Sequence, residues 1–251
     1  MKRIRDWVFT IPFLAAFGLT LGLFEIVARI ARLFGLRPME ITMGVMQRLL
    51  LWELRITGTK LVVERSEKLE GRTGYVLLSN HQSLIDVPIF GGLLFSNYPK
   101  YVAKAELGRW LPSVSFNLTH GGNAVIDRED PRQALRIIKG LGRECQRRNT
   151  AVVIFPEGTR SRSGELREFK TSGAITLMKA ASDMAVVPTT IDGSWELLAH
   201  KLFPIPFGTT IRVRFGDPIA RADGDDPRSL LDQARAEIDA TLARWRENRQ
   251  T

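Results

Sequence analysis

Cysteine is almost absent from this chain of 251 residues, which contains Cys145 alone. A single cysteine cannot form an internal disulfide, and no neighbouring set of ligands accompanies it. The sequence therefore supports neither an oxidised scaffold nor a cysteine-based zinc site, and a reducing, cytosol-facing environment fits it best. Histidine is also scarce, with three in the chain, so each histidine is worth weighing as a candidate for acid–base chemistry.

Two common catalytic motifs are missing as well. The Gly-x-Ser-x-Gly elbow of serine hydrolases occurs nowhere in the chain, which disfavours a hydrolase even though Ser83 lies close to His81. Residues 164–171 have the spacing of a phosphate-binding P-loop, but Phe169 stands where the second glycine belongs. The sequence therefore disfavours a nucleotide-binding site there.

Negative charge is in deficit, with 36 lysines and arginines against 27 aspartates and glutamates, a net charge of +9. This excess predicts a negatively charged partner, which could be nucleic acid, an anionic membrane surface or a phosphorylated small substrate. Charge alone does not choose among them. The length allows one α/β domain of ordinary size, or a smaller catalytic domain with a membrane attachment.

Residues 1–57 are predicted to be membrane-anchoring helices. The segment from Trp7 to Phe24 is apolar over about 18 residues, about 27 Å as a helix, which is close to the minimum for crossing a bilayer. No clean cleavage pattern follows, and Ile26 to Leu36 continues as a basic amphipathic stretch, so a retained anchor is favoured over a secretory signal. Basic residues flank both ends and leave open whether the helix crosses the bilayer or is one arm of a hairpin in one leaflet. Ile41 to Leu54 is either the other arm or an ordinary core-packing helix.

Residues 58–251 alternate between short apolar runs and longer amphipathic segments. This alternation predicts an α/β domain with a mostly parallel central sheet and helices on both faces. The predicted strands are 61–63, 75–78, 101–103, 123–126, 151–155, 186–191 and 210–215. The predicted helices lie near 87–94, 106–117, 131–148, 173–181 and 227–246.

His81 and Asp86 are the first candidates for catalysis. Five residues apart on one helix, their side chains would point about 140° apart and could not meet. They can meet if His81 lies in the loop after the strand 75–78 and Asp86 lies in the first turn of the next helix. The carboxylate would then hold one imidazole nitrogen and leave the other free to accept a proton.

Three polar loops follow predicted strands, and functional loops collect at the carboxyl ends of parallel strands. One holds His81, the second holds Asp127 and Arg128, and the third covers residues 156–161. If neighbouring strands bring these loops together, the histidine faces Arg128 and Arg160. Arginine forks suit a phosphate or a carboxylate, and a glycine at 158 allows the backbone to approach an anion. A basic membrane-binding or nucleic-acid-binding module would explain the charge, but it gives no reason for the histidine and the carboxylate.

Four sequence blocks resemble, in order, the motifs of the glycerolipid acyltransferase family. Residues 80–86 (NHQSLID) resemble its His-x4-Asp motif, 122–128 (GNAVIDR) its second block, 155–161 (FPEGTRS) its substrate-binding motif, and 187–188 its fourth block. The resemblance covers roughly residues 60–216. Within the family it is closest to the bacterial 1-acylglycerol-3-phosphate acyltransferases, which add a second fatty acyl chain to lysophosphatidic acid.

This resemblance implies roles for individual residues. His81 would be the general base that deprotonates the acceptor hydroxyl, and Asp86 would orient it. The implied phosphate-binding set is Lys104, Arg128, Glu157, Gly158, Thr159 and Arg160. The acyl donor would be acyl-CoA or acyl carrier protein, and the reaction would need neither a cofactor nor a metal.

The resemblance also implies that the protein works at a membrane. Its partners would be a membrane lipid acceptor and the acyl donor, with no nucleic acid, and its location would be the bacterial inner membrane with the catalytic domain facing the cytoplasm. Other lysophospholipids and amino-acid lipids remain alternative acceptors. Residues 87–95 and 197–207 are expected to border an acyl groove, although core packing explains the first segment equally well.

Overall fold

The computed structural model describes residues 2–109, 111–200, 203–222 and 224–250, and it opens with two long helices. Helix α1 (Lys2–Leu33) and helix α2 (Leu36–Glu53) are joined by a turn at Gly35, whose φ of 115° suits glycine. Thr20 Oγ1 donates a hydrogen bond to Glu53 Oε1 at 2.5 Å, so the two helices run side by side in opposite directions.

Strands and helices alternate through the rest of the chain, as predicted. In order they are β1 (Lys60–Arg65), β2 (Val76–Ser79), α3 (Asp86–Leu93), β3 (Lys100–Lys104), α4 (Val114–His120), β4 (Ala124–Ile126), α5 (Pro131–Arg148), β5 (Val152–Ile154), α6 (Thr171–Ala180), β6 (Val186–Asp192), β7 (Thr210–Phe215) and α7 (Pro227–Gln250).

The strands form one sheet in the order β1-β7-β6-β2-β5-β3-β4. Every neighbouring pair is parallel except β6 and β7, so β1 and β7 run opposite to the other five strands. The central strands β2, β5 and β6 are buried along their whole length, which explains the apolar sequence of β5 and of most of β2. The predicted fold class, a mostly parallel sheet covered by helices, is confirmed.

Helix α5 shows how local sequence sets an element here. Pro131 occupies its first turn, and Asp130 accepts a hydrogen bond from the Gln133 backbone N–H at 2.9 Å. The helix ends at Asn149, which adopts the left-handed conformation. The helix spans the predicted limits, 131–148.

The helix predicted near 106–117 is wrong in part. The structure has a short 3-10 turn at Ala105–Gly108 and then α4, which begins only at Val114. Pro112 lies between them; proline lacks a backbone N–H and disfavours helical geometry in the preceding residue, so a continuous helix cannot form.

The two faces of the sheet are covered by different helices. Val76 and Leu78 of β2 pack in a core cluster with α5, α6 and α7. Leu77 points to the other face and packs in a cluster that includes Phe13 of α1 and residues of α3. Helix α1 therefore packs against the sheet of the predicted α/β domain. The predicted boundary between a membrane-anchoring segment (1–57) and that domain (58–251) stays a prediction.

A buried group of charges fastens α2 to the sheet. Glu40 Oε1 lies 2.5 Å from Lys100 Nζ on β3, and both Glu40 oxygens accept from the Arg148 guanidinium at 2.7 and 2.9 Å. Lys100 Nζ also donates to the Gly121 carbonyl at 2.8 Å. Burial lowers the pKa of Lys100, and Glu40 opposes that shift. This cluster fixes the start of α2 against the amino-terminal end of β3.

Candidate active site

His81 lies in the loop between β2 and α3, and Asp86 is the first residue of α3. His81 Nδ1 is 2.8 Å from Asp86 Oδ2. This is the arrangement that the five-residue spacing predicted, with the histidine outside the helix and the aspartate in its first turn. A carboxylate accepts from Nδ1–H, so the hydrogen bond selects the tautomer in which Nε2 is free to accept a proton.

The Asp86 carboxylate is fully buried and accepts four hydrogen bonds. Oδ2 accepts from the backbone N–H of Gln82 at 2.7 Å and of Ser83 at 2.9 Å, in addition to His81. Oδ1 accepts from Ser194 Oγ at 2.5 Å. The carboxylate is therefore held in one orientation, which orients the imidazole in turn.

The imidazole ring is also fixed by stacking. The ring of Phe155, at the end of β5, lies 4.0 Å from the His81 ring with an interplanar angle of 17°. The His81 side chain is 15% exposed. A ring held on one side by Phe155 and at one nitrogen by Asp86 has little freedom to rotate.

Glu157 ties the His81 loop to the loop after β5. Its Oε1 accepts from the His81 backbone N–H at 2.7 Å, and its Oε2 accepts from the Arg167 backbone N–H at 3.2 Å. Burial raises the pKa of Glu157, and these two hydrogen bonds oppose the shift. The Ser161 N–H donates to the His81 carbonyl at 2.7 Å, which adds a second link. The structure thus turns the Glu157 carboxylate toward backbone groups that shape the site.

The predicted basic residues gather beside the histidine. Lys104 and Arg128 line the same cavity as His81, together with Gly158. Burial lowers the pKa of Arg160, and the nearby cations Arg162 and Arg128 add to this effect while Asp86 opposes it. Positive groups crowded together in this way favour a bound anion.

The basic residues differ in their surroundings. Arg128 is exposed, Arg160 is partly buried, and Lys104 Nζ pairs with Glu106 at 2.6 Å. Thr159 is exposed on the loop that carries Gly158 and Arg160. Gly158 has a φ of 67°, and a Cβ there would lie 3.2 Å from the Lys170 side chain. The turn therefore suits glycine.

A cavity of about 560 Å³ opens beside His81, within the size range of sites for small ligands. Its wall includes apolar side chains from helices on both faces of the sheet. The hydrogen-bonded ladder between β3 and β5 ends at Tyr101 and Val153, and β3 continues only with β4. The cavity lies where these strands separate. Its apolar lining includes Phe13, Phe17, Met43, Met46 and Leu50 on one side and Ala134, Leu135, Ile138 and Ala174 on the other.

The expected acyl-groove segments contribute unequally to this cavity. Val87 and Pro88 line it, whereas Ile89 and Phe90 are buried in the core, so that segment contributes both to the cavity wall and to core packing. Leu198 also lines the cavity, and residues 201 and 202 lie outside the described part of the chain.

Three residues that support the site were given no role from the sequence, although Asn80 and Phe155 lie in two of the motif blocks. Asn80 exchanges two hydrogen bonds of 2.8 Å with the backbone of Ile191 and so joins the β2 loop to β6. Ser194 holds Asp86, and the Phe155 ring holds His81. Ser194 follows β6 at the same edge of the sheet as the predicted loops, so the strand-end rule could have found it. Among the described residues, no three histidine, cysteine or acidic side chains form a group that could hold a metal ion.

Comparison with known proteins places the chain in a class. It matches the family model described as Acyltransferase over residues 60–192, just over half of its length. The chain therefore belongs to the Acyltransferase family, as the four sequence blocks predicted.

Two relatives show which members of this family the chain resembles. The chain is 30% identical to a 1-acyl-sn-glycerol-3-phosphate acyltransferase of Cocos nucifera, over 72% of this chain and 56% of the relative. It is 28% identical to one of Pseudomonas aeruginosa, over 78% of this chain and 74% of the relative. The matches thus span about half to three quarters of these curated relatives.

A solved structure supports the fold. The crystal structure of a 1-acyl-sn-glycerophosphate acyltransferase from Thermotoga maritima aligns with a TM-score of 0.76 over 98% of each chain, at 20% identity.

Proposed function

We propose that this protein transfers a fatty acyl group from a thioester to the sn-2 hydroxyl of lysophosphatidic acid, giving phosphatidic acid. One observation carries the proposal: an oriented His81–Asp86 pair lies at an apolar cavity whose lining also contains Lys104 and Arg128. The cavity accommodates an acyl chain, and the basic residues suit a phosphate beside the reacting hydroxyl. The names of the two relatives agree with this acceptor.

The proposed chemistry uses His81 as the base. Nε2 takes the proton of the acceptor hydroxyl as its oxygen attacks the thioester carbonyl. The tetrahedral intermediate then expels the thiolate, which takes the proton from the imidazolium and leaves as a thiol. Asp86 stabilises the imidazolium while it exists, because its carboxylate faces Nδ1.

Lys104, Arg128 and Arg160 are assigned to the phosphate of the acceptor, with Gly158 and Thr159 in the loop beside it. Glu157 is assigned to the shape of this pocket, because its carboxylate bonds the backbone of the His81 loop. The donor is acyl-CoA or acyl carrier protein.

Membrane association is part of the proposal. By length and composition, α1 is the one helix in the described ranges that could cross a bilayer. Both α1 and α2 expose apolar side chains at helical spacing, which on α2 are Ile41, Val45, Leu49 and Trp52. We infer that these stripes face lipid in the bacterial inner membrane, with the catalytic domain on the cytoplasmic side.

The test is acyl transfer by the purified, detergent-solubilised protein, with a panel of lysophospholipid and amino-acid-lipid acceptors. Lysophosphatidic acid should give the highest kcat/KM, with release of free thiol. His81→Ala should lower kcat by about 10²- to 10⁴-fold and leave the fold intact. A correctly folded His81→Ala variant with unchanged turnover would refute the assignment, and a higher rate with another acceptor would replace lysophosphatidic acid.

A further inference from the structure

Helix α5 presents a continuous basic stripe to solvent. Its exposed cations recur every three or four residues, so they share an arc of about 80° and a length of about 22 Å. The opposite side of the helix is buried through Ile138 and Leu141, which fixes the direction of the stripe. Within the described chain only the last of these cations forms an ion pair, with Glu144 at 2.6 Å. The stripe consists of Arg132, Arg136, Lys139, Arg143 and Arg147.

The stripe begins at the candidate active site. Pro131 and Leu135, in the first turns of α5, line the cavity that contains His81. Arg128, just before the helix, lines it as well and is exposed. A partner bound along α5 would therefore have one end at the cavity. The stripe is too long to be filled by a single phosphate group, since it extends about four turns away from the cavity.

The position of α5 argues against a membrane as the occupant of the stripe. Helix α5 packs on the face of the sheet that it shares with α6 and α7. Helix α1 packs on the opposite face, and its exposed apolar stripe points away from the sheet on that side. A flat bilayer that contacts the apolar stripe leaves the basic stripe in the aqueous phase.

We propose that the α5 stripe is the docking surface for an acidic protein that carries the acyl group as a thioester, an acyl carrier protein. The inference rests on the proposed function and goes beyond it by naming the donor and the place where it binds. Complementary charge along α5 would set the orientation of the carrier and bring its thioester-bearing arm to the cavity at Arg128. Acyl-CoA, which has no protein surface, would not use the outer turns of the stripe.

The test compares two donors on charge-reversed variants of the full-length enzyme. Arg136→Glu/Lys139→Glu reverses the middle of the stripe. Lys179→Glu/Arg228→Glu makes the same change in charge at exposed positions of α6 and α7. Initial rates are measured with palmitoyl-acyl carrier protein and with palmitoyl-CoA, at fixed lysophosphatidic acid and low salt.

The stripe variant should lose at least tenfold in kcat/KM with the carrier-protein donor and less than twofold with palmitoyl-CoA. The control variant should match the unmutated enzyme with both donors. Added salt should weaken the carrier-protein reaction of the unmutated enzyme more than the palmitoyl-CoA reaction, because exposed charges are screened. Titration with unacylated carrier protein gives a second readout, in which the stripe variant should bind at least tenfold more weakly.

Other results overturn the proposal. The proposal is wrong if the stripe variant loses kcat/KM equally with both donors, or loses none with either. It is also wrong if the carrier protein neither binds the enzyme nor donates its acyl group. A stripe variant with normal donor kinetics but weakened binding to phosphatidylglycerol vesicles would assign the stripe to the membrane. If the unmutated enzyme acylates lysophosphatidic acid from neither donor, the proposed function itself fails and this inference fails with it.

Discussion

Ser194 Oγ donates a hydrogen bond of 2.5 Å to Asp86 Oδ1, although the two residues are 108 positions apart in the chain. Both are fully buried. The other carboxylate oxygen faces His81, so the serine acts on the histidine through the aspartate. Ser194 is therefore a positioning residue for the proposed base.

Ser194→Ala should lower kcat about tenfold or more without changing the KM for lysophosphatidic acid. A hydrogen bond to a charged group contributes about 1.5–3 kcal/mol, and each 1.4 kcal/mol corresponds to about tenfold in rate. Ser194→Thr keeps the hydroxyl and should recover most of the rate. Ser161→Ala is the matched control, because Ser161 contacts the His81 loop through its backbone N–H. Equal turnover of Ser194→Ala and the unmutated enzyme would contradict this role.

Arg160→Ala should mainly raise the KM for lysophosphatidic acid, by about ten- to a hundredfold, with a smaller effect on kcat. The expected loss is one charge-assisted contact to the phosphate, about 1.5–3 kcal/mol. The KM of Arg160→Lys should lie between those of the unmutated enzyme and Arg160→Ala, since lysine keeps the charge but not the fork geometry of the guanidinium. Arg228→Ala, at an exposed position of α7, serves as the control. An unchanged KM would remove Arg160 from the phosphate site.

Gly173→Leu should shift the preferred acyl chain toward shorter lengths. Gly173 on α6 lines the cavity, and a Cβ there would meet Ile138 and Ile154 at ordinary contact distances, so a larger side chain must project into the cavity. Competition between acyl donors of different length measures this preference. The relative kcat/KM for the longest chain should fall about tenfold, which corresponds to about 1.4 kcal/mol. Gly140→Leu adds the same side chain at an exposed position of α5 with open space around it. An identical chain preference in both variants would place the acyl chain elsewhere.

Glu40→Gln should destabilise the protein by about 3–5 kcal/mol, because it leaves Lys100 and Arg148 without their buried counter-charge. Chemical unfolding in detergent micelles measures this loss. Glu40→Met/Lys100→Met removes two of the three charges of the cluster and should recover part of the stability. Glu144→Gln breaks an exposed pair and should cost less than about 1 kcal/mol. A loss no greater for Glu40→Gln than for Glu144→Gln would show that the buried cluster does not stabilise the fold.

Patterns that are local in the chain predicted their elements well. The amphipathic segment 131–148 predicted helix α5 with both of its ends, and the five-residue spacing predicted that His81 and Asp86 meet across a helix start. The break at Pro112 was also local, but the predicted helix 106–117 ran through this proline.

Contacts between distant segments could not be predicted in the same way. Ser194 reaches Asp86, and Glu40 reaches Arg148, only because the sheet places β6 beside β2 and β3 beside β5. The reversed direction of β7 is likewise set by pairing rather than by its own sequence. The Glu157 carboxylate accepts a hydrogen bond from the His81 backbone N–H instead of facing the cavity. This orientation depends on how the loops after β2 and β5 pack together.

Helix α2 separates two apolar environments. Met46 and Leu50 on its inner side line the cavity, while Leu49 and Trp52 on its outer side are exposed. With the outer side in lipid, as proposed, the barrier between bilayer and cavity is one helix thick, about 10 Å. The enzyme would then receive and release its lipids sideways through a thin wall, and neither hydrocarbon chain would need to enter water.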